Sequence, residues 1–398
     1  MNESWLPRGG KNLFQEIKAM CRDREAAGHR VWRLTIGQPP GPALATARKA
    51  CSAAVLSDLE SMHEYQDNGS PGIPGFAQDF VQIHLSRNLE EFERSGRIKF
   101  LPIPGIKPML GLVVLSTGPF TGKEITVATM TDPGYPTPAD QCRYLRVANI
   151  ALPTNTENEF RFNLSDIDSS VKLVMTNYPH NPSGQVATEL FWQPLCQFCS
   201  DNGIRLFNDG AYAILSHLDD ACMLSRVAVD FPDLSWAEAF SASKVIANGT
   251  GWRVGAMVGS PDFIDDVATI KGNTDSGFFA PAAIGTLRCM QEDMASIVKN
   301  REMYGRRIRL LTDLLMDRGM KPAVYPGAGF FTLWLAPKRA FGQKMEDAEQ
   351  FNKLMIQETG VAGVHFGRYI RYAVTSPIEE PAWVEAIVSA FDRAHVAC

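Results

Sequence analysis

Ser241-Ala242-Ser243-Lys244 is followed a few residues later by Gly251-Trp252-Arg253-Val254-Gly255, so one short stretch brings together an amine, two hydroxyls and a guanidinium. The lysine amine can form a Schiff base with an aldehyde, and the hydroxyls and the guanidinium can hold a phosphate. An aldehyde that carries a phosphate, pyridoxal 5'-phosphate, would use both. A lysine alone carries no such message, because most lysines are solvated surface charges.

Other segments add to this chemistry. Asp209, in Asn208-Asp209-Gly210-Ala211-Tyr212, can pair with a protonated pyridine nitrogen and keep the ring cationic, a charge-assisted bond of roughly 1.5–3 kcal/mol. The competing reading is a helix N-cap. Tyr212 three residues on and Lys244 thirty-five on favour the first reading. Asn181, in Tyr178-Pro179-His180-Asn181-Pro182-Ser183-Gly184, is either part of a tight turn or an amide that, with Tyr212, donates to a phenolate oxygen. Two donors there would lower the proton affinity of a neighbouring imine. Gly105-Ile106-Lys107 opens a helix-like run whose first N–H groups can approach a phosphate. Tyr135, in Asp132-Pro133-Gly134-Tyr135-Pro136, is either packing or a ring that stacks on another flat ring. Arg371, within Arg368-Tyr369-Ile370-Arg371-Tyr372-Ala373-Val374, lies in a strand-like alternation and needs an anion. A structural salt bridge and a substrate carboxylate fit equally well.

These residues need a scaffold. Residues 11–30 read as an amphipathic helix ending near Gly28, 34–42 as an ordered Pro- and Gly-rich loop, and 43–58 as a helix. From about 100 onward strands alternate with helices. Residues 171–176, 204–207 and 254–258 read as strands, 188–201 as a helix, and 290–318 as a long helical connector. That alternation predicts an α/β fold, a mostly parallel sheet covered by helices on both faces, with ligands beyond the carboxyl ends of its strands. A smaller α+β domain follows. The expected division is 1–40 as an arm and part of the small domain, 41–290 as the large domain, and 291–398 as the small C-terminal domain.

The 398 residues are 45% hydrophobic and 21% charged, ordinary for a globular enzyme, and the formal net charge of -5 comes with no basic block. Nucleic acid is therefore not an expected partner. The eight scattered cysteines suggest no disulfide scaffold, and Cys196 and Cys199 are spaced to share one helix face. The sequence shows neither a secretory signal nor an apolar run of the ~20 residues a membrane span needs, so a cytoplasmic protein is expected.

Together these segments resemble the fold-type I, class I and II aminotransferases, in the family's order and over nearly the whole chain. The strings Asn2-Glu3-Ser4-Trp5-Leu6-Pro7, Asn12-Leu13-Phe14-Gln15-Glu16-Ile17, Leu34-Thr35-Ile36-Gly37 and Asn273-Thr274-Asp275-Ser276-Gly277 look like the branch that contains the LL-diaminopimelate aminotransferases. The resemblance implies that Lys244 is the Schiff-base lysine and proton shuttle and that Asp209 pairs with the pyridine nitrogen. It implies that Asn181 and Tyr212 contact the ring hydroxyl and that Tyr135 stacks on the ring. Ser241, Ser243, Arg253 and the backbone of Gly105, Ile106 and Lys107 would hold the phosphate. Gly37, Asn181 and Arg371 would meet the substrate's α-carboxylate. Tyr65 resembles a tyrosine that reaches the neighbouring subunit's phosphate, which implies a homodimer with shared sites.

The implied reaction moves an amino group between an L-amino acid and a 2-oxo acid by a ping-pong route. The same fold also carries β-lyases, synthases and racemases, and a non-catalytic amino-acid sensor is a more distant alternative. The sequence departs from the family in three places. Lys244 and Arg253 are one residue further apart than usual, so the loop 245–249 carries an extra residue. The loop between Phe366-Gly367 and Arg371 is short. Phe278-Phe279 stands where the diaminopimelate enzymes carry a polar residue, which argues against a doubly charged substrate.

Overall fold

The computed structural model describes residues 13–119, 121–122 and 124–398. The strings at Asn2–Pro7 and Asn12, which contributed to the resemblance, lie outside the described residues.

In chain order, the elements that frame the site begin with helix α1 (Leu13–Ala26). Strand β1 (Lys99–Ile103) leads into helix α2 (Ile106–Leu115). Strands β2 (Thr126–Asp132), β3 (Ala148–Pro153) and β4 (Val171–Thr176) follow, then helix α3 (Glu189–Asp201). Strands β5 (Arg205–Asp209), β6 (Trp236–Ser241) and β7 (Gly255–Gly259) come next. Helices α4 (Ala280–Glu292) and α5 (Met294–Met316) lead to strands β8 (Phe331–Leu335), β9 (Val364–Phe366) and β10 (Tyr369–Ala373).

Among the described residues, seven strands form one sheet in the order β1-β7-β6-β5-β4-β2-β3. Only β7 runs against its neighbours β1 and β6. The central strands β4 to β7 are largely buried on both faces, the edge strand β3 is mostly open to solvent, and adjacent side chains point to opposite faces. Leu206, Trp236 and Phe240 pack with α3 residues Trp192 and Leu195 on one face. Phe207, Ala239 and Met257 pack with α2 residues Leu110 and Val113 on the other. Each fully buried large side chain contributes roughly 1.5–3 kcal/mol. Cys196 and Cys199 share the buried face of α3.

A second sheet joins β9, β10, β8 and the short strand Pro322–Val324 in antiparallel order. Its core gathers Leu34, Tyr304, Phe330, Trp334 and Tyr372. Trp32–Arg33 pairs in parallel with Val361–Ala362, which ties the segment before residue 40 to the C-terminal part of the chain. The connector expected over 290–318 proves to be the end of α4 followed by α5. Asp293, at φ -136° and ψ 37°, breaks the helix, and its carboxylate accepts from Thr46 Oγ1 at 2.7 Å. The apolar period continues across this break, so the sequence alone reads as one helix. Among the described residues, no helix is long and apolar enough to cross a membrane.

Candidate active site

A cavity of about 450 Å³ opens beyond the carboxyl ends of β4, β5 and β6 and is also bounded by β10 and the loop 35–38. Twelve of the fourteen residues singled out from the sequence line it: Gly37, Ile106, Lys107, Tyr135, Asn181, Asp209, Tyr212, Ser241, Ser243, Lys244, Arg253 and Arg371. Gly105 lies one residue ahead of α2, against Arg253. Tyr65 lies outside its own chain's cavity and is 77% exposed.

Asp209 is the last residue of β5, so the strand itself carries its carboxylate to the cavity. Oδ1 accepts from the Ala211 N–H at 3.1 Å, a local turn bond that the N-cap reading also anticipates. Oδ2 has no protein donor among the described residues. Burial pushes the carboxyl up to about 6, with the Ala211 N–H and the Lys244 ammonium opposing. Lys244 ends a single 3-10 turn, Ala242–Lys244, directly after β6. Its Nζ lies 5.1 Å from the centre of the Tyr212 ring. Burial lowers its pKa, Asp209 raises it and Arg253 lowers it further. The amine is therefore deprotonated more readily than a surface lysine, as a nucleophile or base requires.

Two serines, an arginine and the start of α2 line the same cavity. Ser241 Oγ and Ser243 Oγ are 2.8 Å apart, and Ser243 N donates to Ser241 Oγ. Arg253 donates to the carbonyls of Thr250 (2.9 Å) and Pro104 (3.1 Å). Gly105 has φ +79°, and a Cβ on it would come within 2.6 Å of Arg253 Nη2. Only glycine allows the helix start and the guanidinium to approach so closely. In the loop 245–249, Ala247 adopts φ 59° and the Asn248 amide donates to Gly41 O. Arg253 lines the same cavity as the two serines.

Arg371 is 1% exposed. Nη1 donates to Asn181 Oδ1 at 2.9 Å and Nη2 to Thr35 O at 3.0 Å, while Nε is buried without a partner. Its guanidinium carbon lies 4.2 Å from the Phe331 ring centre and 5.7 Å from that of Phe14. Burial pulls its pKa down to about 10, so it stays charged at neutral pH. Among the described residues no carboxylate pairs with it, so the salt-bridge alternative finds no support. Tyr212, wedged edge-on against Phe330 and Phe331, is pushed well above the usual phenol range by burial.

Sequence reasoning missed Phe14, Thr35, Gln38, Asn177 and Thr250, which also line the cavity. Asn177 was within reach of the sequence, since it opens the turn that contains Asn181. Thr35 acts through its carbonyl, which no residue type announces. Phe278 packs edge-on against Phe76 at 5.0 Å, and neither it nor Phe279 lines the cavity. The short loop before Arg371 is the Gly367-Arg368 turn joining β9 to β10.

The sequence pattern of the family described as "Aminotransferase class I and II" matches residues 30–377. The LL-diaminopimelate aminotransferase of Halothermothrix orenii is 31% identical over 383 residues, 91% of this chain and 91% of that one. The protein of the same name from Methanocaldococcus jannaschii is 31% identical over 282 residues, 67% of this chain and 66% of that one. Among solved structures, the aspartate aminotransferase of Rhizobium meliloti superposes with a TM-score of 0.82 at 18% identity, covering 99% of both chains. Substrate-bound BacF from Bacillus subtilis gives 0.81 at 20% identity, covering 100% of this chain and 99% of that one. At these identities the structural likeness is one of fold.

Proposed function

The chain belongs to the class I and II aminotransferases, and from that membership we propose that its cavity binds pyridoxal 5'-phosphate at Lys244 and transfers the amino group of an L-amino acid to a 2-oxo acid. The juxtaposition of Asp209 and Lys244 in one buried cavity carries this reading. Three features fit the cofactor: the open Oδ2 of Asp209, the glycine cradle against Arg253, and the paired hydroxyls of Ser241 and Ser243. The bound cofactor would supply an aldehyde for covalent attachment and a ring that absorbs the electrons released when a Cα bond breaks.

The residues divide the work by position. Ser241, Ser243, Arg253 and the first N–H groups of α2 would hold the phosphate. Asp209 would keep a proton on the ring nitrogen. Asn181 and Tyr212 would donate to the ring oxygen, and Tyr135 would cover the ring. Arg371 and the Gly37 backbone would fix the substrate's α-carboxylate, so that the Cα–H faces Lys244. The Lys244 amine would then take the Cα proton and return it to the carbon on the far side of the amino nitrogen, within a site that Phe14 and Phe331 help to screen from water.

Among the described residues, the cations lining the cavity are Lys107, Lys244, Arg253 and Arg371; the last three already have roles, and Lys107 sits at the start of α2 on the phosphate side. Phe14, Ile36 and Gln38 complete the wall beside Arg371. This favours a donor with an uncharged side chain over LL-diaminopimelate, the compound in its relatives' names. We divide the chain near residues 40 and 290. The body on the seven-stranded sheet would hold the cofactor, and the remainder would close on the substrate. The active unit would be a homodimer: Tyr65, Leu56, Leu59 and Phe279 are all exposed large side chains, and Ala54, Met62 and Ala280, each one to three residues from one of them in sequence, form a small apolar cluster.

A donor screen with 2-oxoglutarate tests the proposal, with neutral, aromatic, acidic and LL-diaminopimelate donors read by glutamate formation. Glutamate from neutral donors supports it. Pyruvate and ammonia without glutamate would overturn it in favour of a lyase.

A further inference from the structure

A buried polar network with no role so far underlies the cavity floor. Glu238, in the middle of β6, is 0% exposed, and among the described residues no cation pairs with it. Its Oε1 accepts from Asn208 Nδ2 at 2.7 Å and Leu224 N at 3.0 Å. Its Oε2 accepts from Ser225 N at 2.8 Å and Ser225 Oγ at 2.6 Å. Asn208 is saturated in turn. Its Oδ1 accepts from Tyr178 N and Thr176 Oγ1, both at 2.9 Å, and its Nδ2 also donates to Tyr178 O at 2.9 Å.

One side chain thus grips both the N–H and the C=O of Tyr178, where the strand β4 gives way to the turn that carries Asn181. Asn208 directly precedes Asp209, so the grip ties the turn to the strand end that bears the carboxylate. A second amide works alongside it: Asn177 Nδ2 donates to Asp209 O at 2.9 Å, and Asn177 Oδ1 accepts from Asn181 N at 3.0 Å.

Burying an unpaired carboxylate is costly, and apolar side chains of similar size hold neighbouring strands together without that cost. The sheet does use them at Ala237, Ala239 and Phe240. What an apolar side chain cannot do is fix the orientation of a peptide group. Glu238 Oε1 accepts there, and the Tyr178 N–H can only donate, so the Asn208 amide presents Nδ2 to the carboxyl and Oδ1 to the Tyr178 N–H.

We propose that Asn208 and Glu238 are positioning residues for the cofactor, setting the Asn181 amide at a fixed distance from the Asp209 carboxylate through the Tyr178 peptide. This rests on the reading that Asp209 and Asn181 hold the cofactor ring. Asn208→Ala removes the grip. Glu238→Gln keeps the shape but turns an NH2 toward one pair of donors, loosening it.

The readout is the pH midpoint of the bound cofactor's visible absorption band, alongside the cofactor dissociation constant and the melting of the cofactor-free protein. Losing a donor to the ring oxygen raises that midpoint. Asn208→Ala should raise it by about one unit and Glu238→Gln by a few tenths, in the same direction as Asn181→Ala. Ile387→Ala, in the core around the second sheet, should lower the melting temperature and leave the midpoint unmoved. Folded Asn208→Ala and Glu238→Gln proteins that keep the wild-type midpoint would overturn the inference. If Asn208→Ala does not fold, Glu238→Gln decides alone. A wild-type protein with no visible band after incubation with the cofactor would remove the underlying reading, and this inference with it.

Discussion

Replacing Asp209 by asparagine should make the cofactor-free protein more stable while crippling the loaded one. Burial raises the Asp209 carboxyl from its ordinary 3.8 to about 6. A carboxyl whose pKa is higher in the folded than in the unfolded chain costs stability. The cost is absent below the unfolded value and fully developed above the folded one. With these two values it amounts to about 3 kcal/mol at pH 8 and about 1 kcal/mol at pH 4.5. The neutral amide of the variant would carry no such cost, and Lys244 can answer the lost charge by shedding its proton. Chemical denaturation of the cofactor-free proteins should therefore show Asp209→Asn ahead by about 3 kcal/mol at pH 8, with the advantage shrinking as the pH falls toward 4.5. In the loaded protein the variant loses a charge-assisted bond of roughly 1.5–3 kcal/mol to the ring. The half-reaction with an amino acid, followed by rapid mixing at the visible band, should slow by at least about tenfold. An Asp209→Asn protein whose stability gain is independent of pH, or whose half-reaction runs at the wild-type rate, refutes this reasoning.

Other perturbations separate the remaining roles. Arg371→Met should lower kcat/KM on the order of a hundredfold, because two charge-assisted bonds to the α-carboxylate are lost. Cofactor affinity should change far less than kcat/KM, since Arg371 reaches the cofactor only through Asn181, and an amine lacking the carboxylate should lose much less rate than an amino acid. Gly105→Ala places a Cβ against Arg253 at a positive φ. Cofactor affinity should fall about tenfold, measured by equilibrium dialysis, with the cofactor-free protein destabilised by the ~1–3 kcal/mol of strain at φ 79°, ψ 163°. Tyr65→Phe changes a side chain outside its own cavity. It should still weaken cofactor binding if neighbouring subunits share sites, and light scattering should report a dimer for both proteins. A monomeric wild type would sink that prediction.

Much of the site was legible because its residues come in short strings. Asp209 ends a strand, Asn181 and Lys244 lie in the turns that follow one, and an apolar run closed by polar residues and proline or glycine marks such places. What joins distant strings was not legible. Arg371 and Asn181 are 190 residues apart in sequence. From its own strand, Arg371 looked equally suited to a salt bridge or a substrate. The reversed direction of β7 left no trace either, since a strand buried on both faces is apolar whichever way it runs. Glu238 and Asn208 read as ordinary polar residues until the sheet placed them side by side. The helix break at Asp293 was hidden because the apolar period passes through it unchanged.

The central claim is that Lys244 holds the cofactor covalently. Borohydride reduction of the protein after incubation with pyridoxal 5'-phosphate, followed by peptide mass spectrometry, tests it most directly. The predicted result is one cofactor-mass adduct, on the peptide containing Lys244, and none in Lys244→Ala. No adduct, or an adduct on another lysine such as Lys107 with Lys244 unmodified, would contradict it.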